Sequence, residues 1–193
     1  MFDRLLATNI FQFEFLHGNR KLVIRAPVLW LLLVCALVYG RALLGDFVLD
    51  DWPVIKENSK ITETYYIREY FTSGVWSNTD LGERSASIGN FLYRPLFMVV
   101  LNLGYQLWST NTVAYHALNI ALHGINTILL FYIILGLTSG RETMPAFFGA
   151  LLFAVHPVHV ESIAWIAGLT DPLVSIFLLS NFLLYRKLSL IHI

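Results

Sequence analysis

Residues 26–44 read APVLWLLLVCALVYGRALL, and residues 116–137 read HALNIALHGINTILLFYIILGL. Apolar runs of this length leave a chain few options. About 20 such residues make a helix of ~30 Å, the thickness of a bilayer's hydrocarbon core. Burying both runs inside a soluble protein would need a polar shell. Only 13% of the 193 residues are charged, roughly half the share of a soluble domain. The expectation is an all-α, multi-pass membrane helix bundle.

Two further apolar segments, at about 145–158 and 172–185, bring the expected spans to four. A shorter run at 95–108, PLFMVVLNLGYQLW, either crosses or lies in the interface. Charge decides between these. Arg20, Lys21 and Arg25 precede the first span and place residues 1–25 in the cytoplasm. With 95–108 flat, Arg141, Arg186 and Lys187 join that cluster on the cytoplasmic side. With it crossing, all three fall outside. As a helix the 95–108 run rises only about 21 Å, which also favours the flat arrangement. Its Asn102 and Gln106, one turn apart, are expected to share a water-facing edge.

The reading is therefore a 26–187 membrane domain with four spans and an interfacial helix, followed by a tail at 188–193. The outer loops, 45–115 and 156–171, lie on one face, where their polar residues converge. The stretch from about Thr72 to Asn90 is polar and rich in Gly and Ser, and is expected to be a flexible outer loop. A net charge of zero gives no electrostatic ground for a nucleic-acid partner. Cys35 is the sole cysteine, so no internal disulfide forms, and no Asn-x-Ser/Thr site marks a lumenal loop.

Four groups in the outer loops could carry chemistry. Asp50 and Asp51 follow the first span directly, where a carboxylate suits a general base acting on an acceptor hydroxyl. Arg94 opens the interfacial helix and suits a lipid-linked phosphate. HPVHVES supplies His156, His159 and Glu161, and GLTDP supplies Asp171. The plainer alternatives are solvated loop carboxylates and a snorkelling arginine. A divalent metal is not supported: Pro157 breaks the helix that would align His156, His159 and Glu161, and nothing completes a ligand set. Within the second span, His116, Asn119, His123 and Asn126 share one helical face. They serve as interhelical hydrogen-bonding glue or as substrate contacts, and His116 is the one expected to approach the site.

GDFVLDDWPVI, then YRPL, then YHALNIALHGINTILL, then LLFAVHPVHVESIAWIAGLTDPL follow one another in order. Together they resemble the transmembrane O-mannosyltransferases that carry tetratricopeptide repeats, and more loosely the wider GT-C superfamily. The resemblance covers about residues 40–187. It implies a partial GT-C-type module that transfers a sugar, mannose in the closest resemblance, from a polyprenyl-phosphate donor to a protein hydroxyl with inversion. It implies Asp50 or Asp51 as base, Arg94 on the donor phosphate, and Asp171 lining the site. His156, His159, Glu161 and His116 are placed there as further lining.

The polyprenyl-phosphate sugar is then a substrate, and no cofactor is implied. Such relatives continue into a repeat domain, and no 34-residue helical repeat occurs here. This suggests an N-terminal part that works with a repeat domain or partner chain. The membrane is the endoplasmic reticulum in a eukaryote or the inner membrane in a bacterium. The competing reading is a non-catalytic membrane module that keeps the scaffold and binds lipid or a partner. A transporter fits less well, because its charges belong at mid-membrane.

Overall fold

The structure is a computed structural model that describes residues 14–17, 20–23, 26–84, 92–138 and 143–189. Two short strands, β1 (Glu14–His17) and β2 (Arg20–Val23), pair antiparallel with Glu14 opposite Val23 and His17 opposite Arg20. Among the described residues every other regular element is helical. These are α1 (Pro27–Tyr39), α2 (Asp80–Arg84), α3 (Pro95–Trp108), α4 (Thr112–Leu137), α5 (Thr143–Val155), α6 (Val160–Ala164) and α7 (Thr170–Ser189), joined by 3-10 turns and one π-helical turn at Trp52–Lys56. The all-α membrane bundle expected from the sequence is what forms, with a small hairpin ahead of it.

Among the described residues, three helical stretches are long and apolar enough to cross a membrane: Pro27–Leu44, Thr112–Leu137 and Ile166–Arg186. The pair Thr143–Val155 and Pro157–Ala164 meets the same test together but is bent by 45°. Pro157 explains the bend, because it has no N–H to continue the ladder. On α1, Leu31, Cys35 and Tyr39 repeat every fourth residue and form the buried edge, while Trp30, Leu33 and Leu37 face outward. α4 begins where the Asn111 side chain accepts a hydrogen bond from the Val113 N–H at 3.1 Å. It is the central helix, packed against α1, α5 and α7. Leu31, Phe131, Leu135, Ala146 and Ala150 form the apolar core of the bundle.

The polar face of α4 is the glue of this bundle. Asn119 Nδ2 donates to the Trp165 carbonyl at 2.8 Å, and Asn126 Nδ2 to the Pro172 carbonyl at 2.8 Å. His123 Nε2 lies 3.1 Å from the Ala154 carbonyl. A carbonyl only accepts, so the imidazole donates. Ala154 and Trp165 sit where helices end or break, so the stripe serves backbone carbonyls that no regular helix satisfies.

The 45–111 connection is not a loose loop. It has a hydrophobic core of its own, containing Phe47, Val54, Ile55, Ile61, Tyr70, Val75, Phe97, Met98, Leu101 and Tyr115, and Ile166, Ala167 and Leu169 join it. α3 packs against the turns at 59–71. The expected water-facing edge holds for Gln106, which is exposed, and is corrected at Asn102, which is 0% exposed and donates to Ile61 O, Glu63 O and the Tyr70 hydroxyl. Gln106 donates to Ile61 O and Thr62 O. The edge was polar in order to hold the loop's carbonyls. The expected flexible stretch at 72–90 is corrected in its first part. Residues 76–78 and α2 are ordered turns with Val75, Asn78 and Thr79 buried. Residues 85–91 lie outside the described residues.

Candidate functional site

Both connections meet at one end of the bundle, and the aspartate pair is where they join. Leu49 takes a left-handed φ of 47°, which turns the chain sharply before the pair. The Asp51 N–H then donates back to Val48 O at 3.0 Å, while Asp51 Oδ2 accepts from the Val48 N–H at 3.0 Å. Its other oxygen, Oδ1, accepts from the Ala167 N–H at 2.8 Å, across 116 positions of sequence. Asp51 is 0% exposed. Burial pushes its carboxyl up from 3.8 to about 6, against the two backbone N–H groups that favour the charged form. This aspartate is a strut between the two outer connections.

Asp50, half-buried beside it, faces a cleft instead. Arg94 lines the same cleft, with Trp76 and Trp165 as aromatic walls and Val54 and Phe97 as apolar floor. Arg94 Nη1 reaches Thr170 Oγ1 at 3.4 Å, a long contact that leaves most of a five-donor guanidinium for a ligand. Leu92, also in the lining, has a left-handed φ of 64°, and its carbonyl accepts from Val75 N at 2.9 Å. Strained backbone thus precedes both charged residues of the cleft, as functional sites often show.

A second cleft lies further along the 162–171 segment. His159, Ser162 and Asp171 line it, with Asn126 and Phe153 from the bundle. Ser162 Oγ donates to Asp171 Oδ2 at 2.7 Å. Because Trp165 and Ala167 line the first cleft and Ser162 and Asp171 the second, one segment shapes both.

The structure therefore sorts the residues that the sequence had grouped together. Asp50 and Arg94 line one cleft, and His159 and Asp171 line the other. Besides Asp51, three of these residues line neither cleft, and each has a place of its own. His116 is 2% exposed and packed against Gly45, whose added Cβ would stand 3.0 Å from its Nε2. His156 caps a turn: its Nδ1 accepts from Val158 N at 3.2 Å, and its carbonyl accepts from the Tyr39 hydroxyl at 3.3 Å. Glu161 is exposed, and its carbonyl closes the α6 turn onto Trp165 N. Among the described residues no group of three His, Cys, Asp or Glu is placed to hold a metal.

Sequence reasoning missed Trp76 and Trp165. The available signal was a lone tryptophan in the otherwise polar 72–90 stretch. Trp76 is held by close backbone packing: a Cβ on Gly82 would stand 1.8 Å from the Trp76 carbonyl oxygen. Only glycine allows that approach. Gly82→Ala is expected to displace Trp76 and destabilise the chain by about 2 kcal/mol or more. Thermal unfolding and quenching of tryptophan fluorescence would report it. An unchanged melting temperature and spectrum would remove Gly82 as the support of this wall.

The chain is 32% identical over 154 residues to protein O-mannosyl-transferase TMTC3 of Mus musculus, covering 80% of this chain and 16% of that protein. It is 36% identical over 152 residues to protein O-mannosyl-transferase TMTC1 of Homo sapiens, covering 78% and 17% respectively. It is 32% identical over 172 residues to protein O-mannosyl-transferase F38B6.6 of Caenorhabditis elegans, covering 89% and 24%. The chain spans about a sixth to a quarter of the length of these relatives. No protein-family model and no solved structure matches it.

Proposed function

The chain is a homologue, over about four-fifths of its length, of the proteins named protein O-mannosyl-transferases, as the HPVHVESIAWIAGLTD stretch led us to expect, and from that kinship we propose that its Asp50–Arg94 cleft carries out mannosyl transfer to protein hydroxyls. The observation that carries this is one carboxylate and one guanidinium lining a single cleft with two tryptophans. A carboxylate accepts a proton, a guanidinium holds a phosphate in a fork, and indole faces suit the apolar side of a sugar ring.

The donor in this reading is a dolichyl- or undecaprenyl-type phosphate mannose. Asp50 takes the proton of the acceptor hydroxyl as its oxygen bonds to the anomeric carbon. The bond from that carbon to the phosphate oxygen breaks, and its electron pair leaves on the lipid phosphate. Arg94 stabilises the negative charge that grows there. Attack from the side opposite the leaving group inverts the anomeric centre. Asp51 acts through the backbone, holding Ala167 in place behind Asp50. The cleft lies at the membrane edge because that is where a lipid-anchored donor presents its head group.

The test is transfer of labelled mannose from the polyprenyl-phosphate donor to protein by the chain in membranes, beside Arg94→Ala. The variant is expected to raise the donor KM about tenfold or more, the loss of one charged hydrogen-bonding group. Arg94 is largely exposed, so insertion and stability stay as in the wild type. Unchanged donor kinetics in the variant would exclude Arg94 from the phosphate. Transfer absent from the wild type as well would favour a scaffold that binds without catalysing.

A further inference from the structure

We propose that the second cleft is a saccharide subsite, separate from the Asp50–Arg94 cleft, that holds the hydroxyl groups of a neutral sugar. The inference rests on the proposed transfer only for the choice of mannose as the sugar to test. The cleft is open to the outside, and its polar atoms are out of balance. Asn126 is 1% exposed; its Nδ2 is spent on Pro172 O, and its Oδ1 has no partner. Ser162 gives its proton to Asp171 Oδ2, so its own oxygen remains an acceptor, and Asp171 keeps a second carboxylate oxygen. Acceptors are in surplus here. A buried acceptor without a donor is unfavourable by itself, so the group that completes this cleft brings donors.

Several separate hydroxyls satisfy such spaced acceptors better than one point charge does. The aromatic side of the cleft agrees. The Phe153 and His159 rings lie 4.4 Å apart at their centroids, inclined at 53°, giving an aromatic corner against which the C–H face of a sugar ring packs. His123, His159 and Asp171 all line the cleft, but among the described residues no three such groups are placed to hold a metal. A ring with polar edges and an apolar face is the chemistry that fits.

Methyl α-mannoside, titrated into the chain in nanodiscs and followed by saturation-transfer NMR, tests this. The expected result is saturable binding with a Kd on the order of 1 mM, the range open to a ligand of this size. Ser175→Leu fills the cleft from α7, and Asp171→Asn weakens one acceptor without changing its shape. Each is expected to weaken binding about tenfold, the scale of one lost contact. Asp50→Asn and Arg94→Ala are expected to leave it unchanged. Competition by dolichyl phosphate mannose would identify the lipid donor's own sugar as the occupant, and its failure to compete would identify a free or protein-linked saccharide. Wild-type binding that is absent, that survives in both cleft variants, or that is lost in Asp50→Asn and Arg94→Ala overturns the proposal. So does displacement by ethanolamine instead of sugar. Because the probe carries no phosphate, failure here leaves the Asp50–Arg94 reading standing, and failure of that reading leaves this one measurable. Asp171→Asn serves if Ser175→Leu does not fold.

Discussion

Asp50→Asn is expected to lower mannosyl transfer about 100-fold or more, the contribution of a positioned general base, and to leave the unfolding temperature where it was. Asp50 is half-buried at a cleft wall, and its side chain holds no other segment in place. Asp51→Ala is expected to act the other way round, through the fold. Two backbone N–H groups, from Val48 and Ala167, lose their acceptor inside the protein. The loss is about 2–4 kcal/mol at pH 5, from orphaned donors at ~1–3 kcal/mol each.

The same residue sets a pH dependence. Its carboxyl stands at about 6 in the folded chain against 3.8 ordinarily, because burial disfavours the charge. The folded state therefore holds this proton more tightly than the unfolded one. The associated stability is fully present below about pH 4 and is lost as pH rises through 6, on the order of 3 kcal/mol. Asp51→Asn removes that slope, so the wild type is expected to lose stability relative to the variant between pH 4 and 6.5. Asp51→Ala is correspondingly milder at pH 8 than at pH 5. Denaturation of both variants across this range, beside label transfer, checks all three statements. Full transfer by Asp50→Asn would remove it as the base. A flat stability difference across pH would show that Asp51 does not titrate as a buried strut.

Asn102→Leu is expected to release the outer cap from its helix. The amide serves three acceptors, at 3.2 Å to Ile61 O, 3.0 Å to Glu63 O and 3.1 Å to the Tyr70 hydroxyl. Leucine has the same branched outline and is larger, so no cavity forms, and overpacking adds to the loss of the hydrogen bonds. Gln106 still serves Ile61 O, while Glu63 O loses its donor in a part-buried position. The expected loss is about 2–4 kcal/mol, with faster proteolysis between residues 57 and 75. Gln106→Leu, at an exposed position, is expected to lose about 1 kcal/mol or less. Equal effects of the two substitutions would mean that burial of Asn102 does not matter to the cap.

Much of the molecule was readable along the chain. The long helices follow from uninterrupted apolar runs, since apolar length is a local property that a bilayer reads directly. The shared face of His116, Asn119, His123 and Asn126 follows from helical period alone, and three of the four side chains serve backbone carbonyls of neighbouring helices. Arg94 beside Pro95 marked the start of α3. Even the hydrogen-bonding edge of Asn102 and Gln106 was visible, although which surface it faced was not.

The rest depended on contacts between distant parts of the chain. Asp50 and Asp51 are neighbours of identical type, and no local rule separates them. They differ because the Ala167 N–H arrives beside one and Arg94 beside the other. His116, His156 and Glu161 looked like site residues because their order in sequence says nothing about which side of a turn each one meets. The cap at 45–111 was read as an outer loop around one interfacial helix because its apolar residues ahead of that helix, from Phe47 to Val75, are scattered without a period. A period reveals burial against one continuous surface. A core assembled from many short turns has none, so its burial is set by long-range packing. That packing is also what turned one of two identical carboxylates toward a cleft and left the other to hold the structure together.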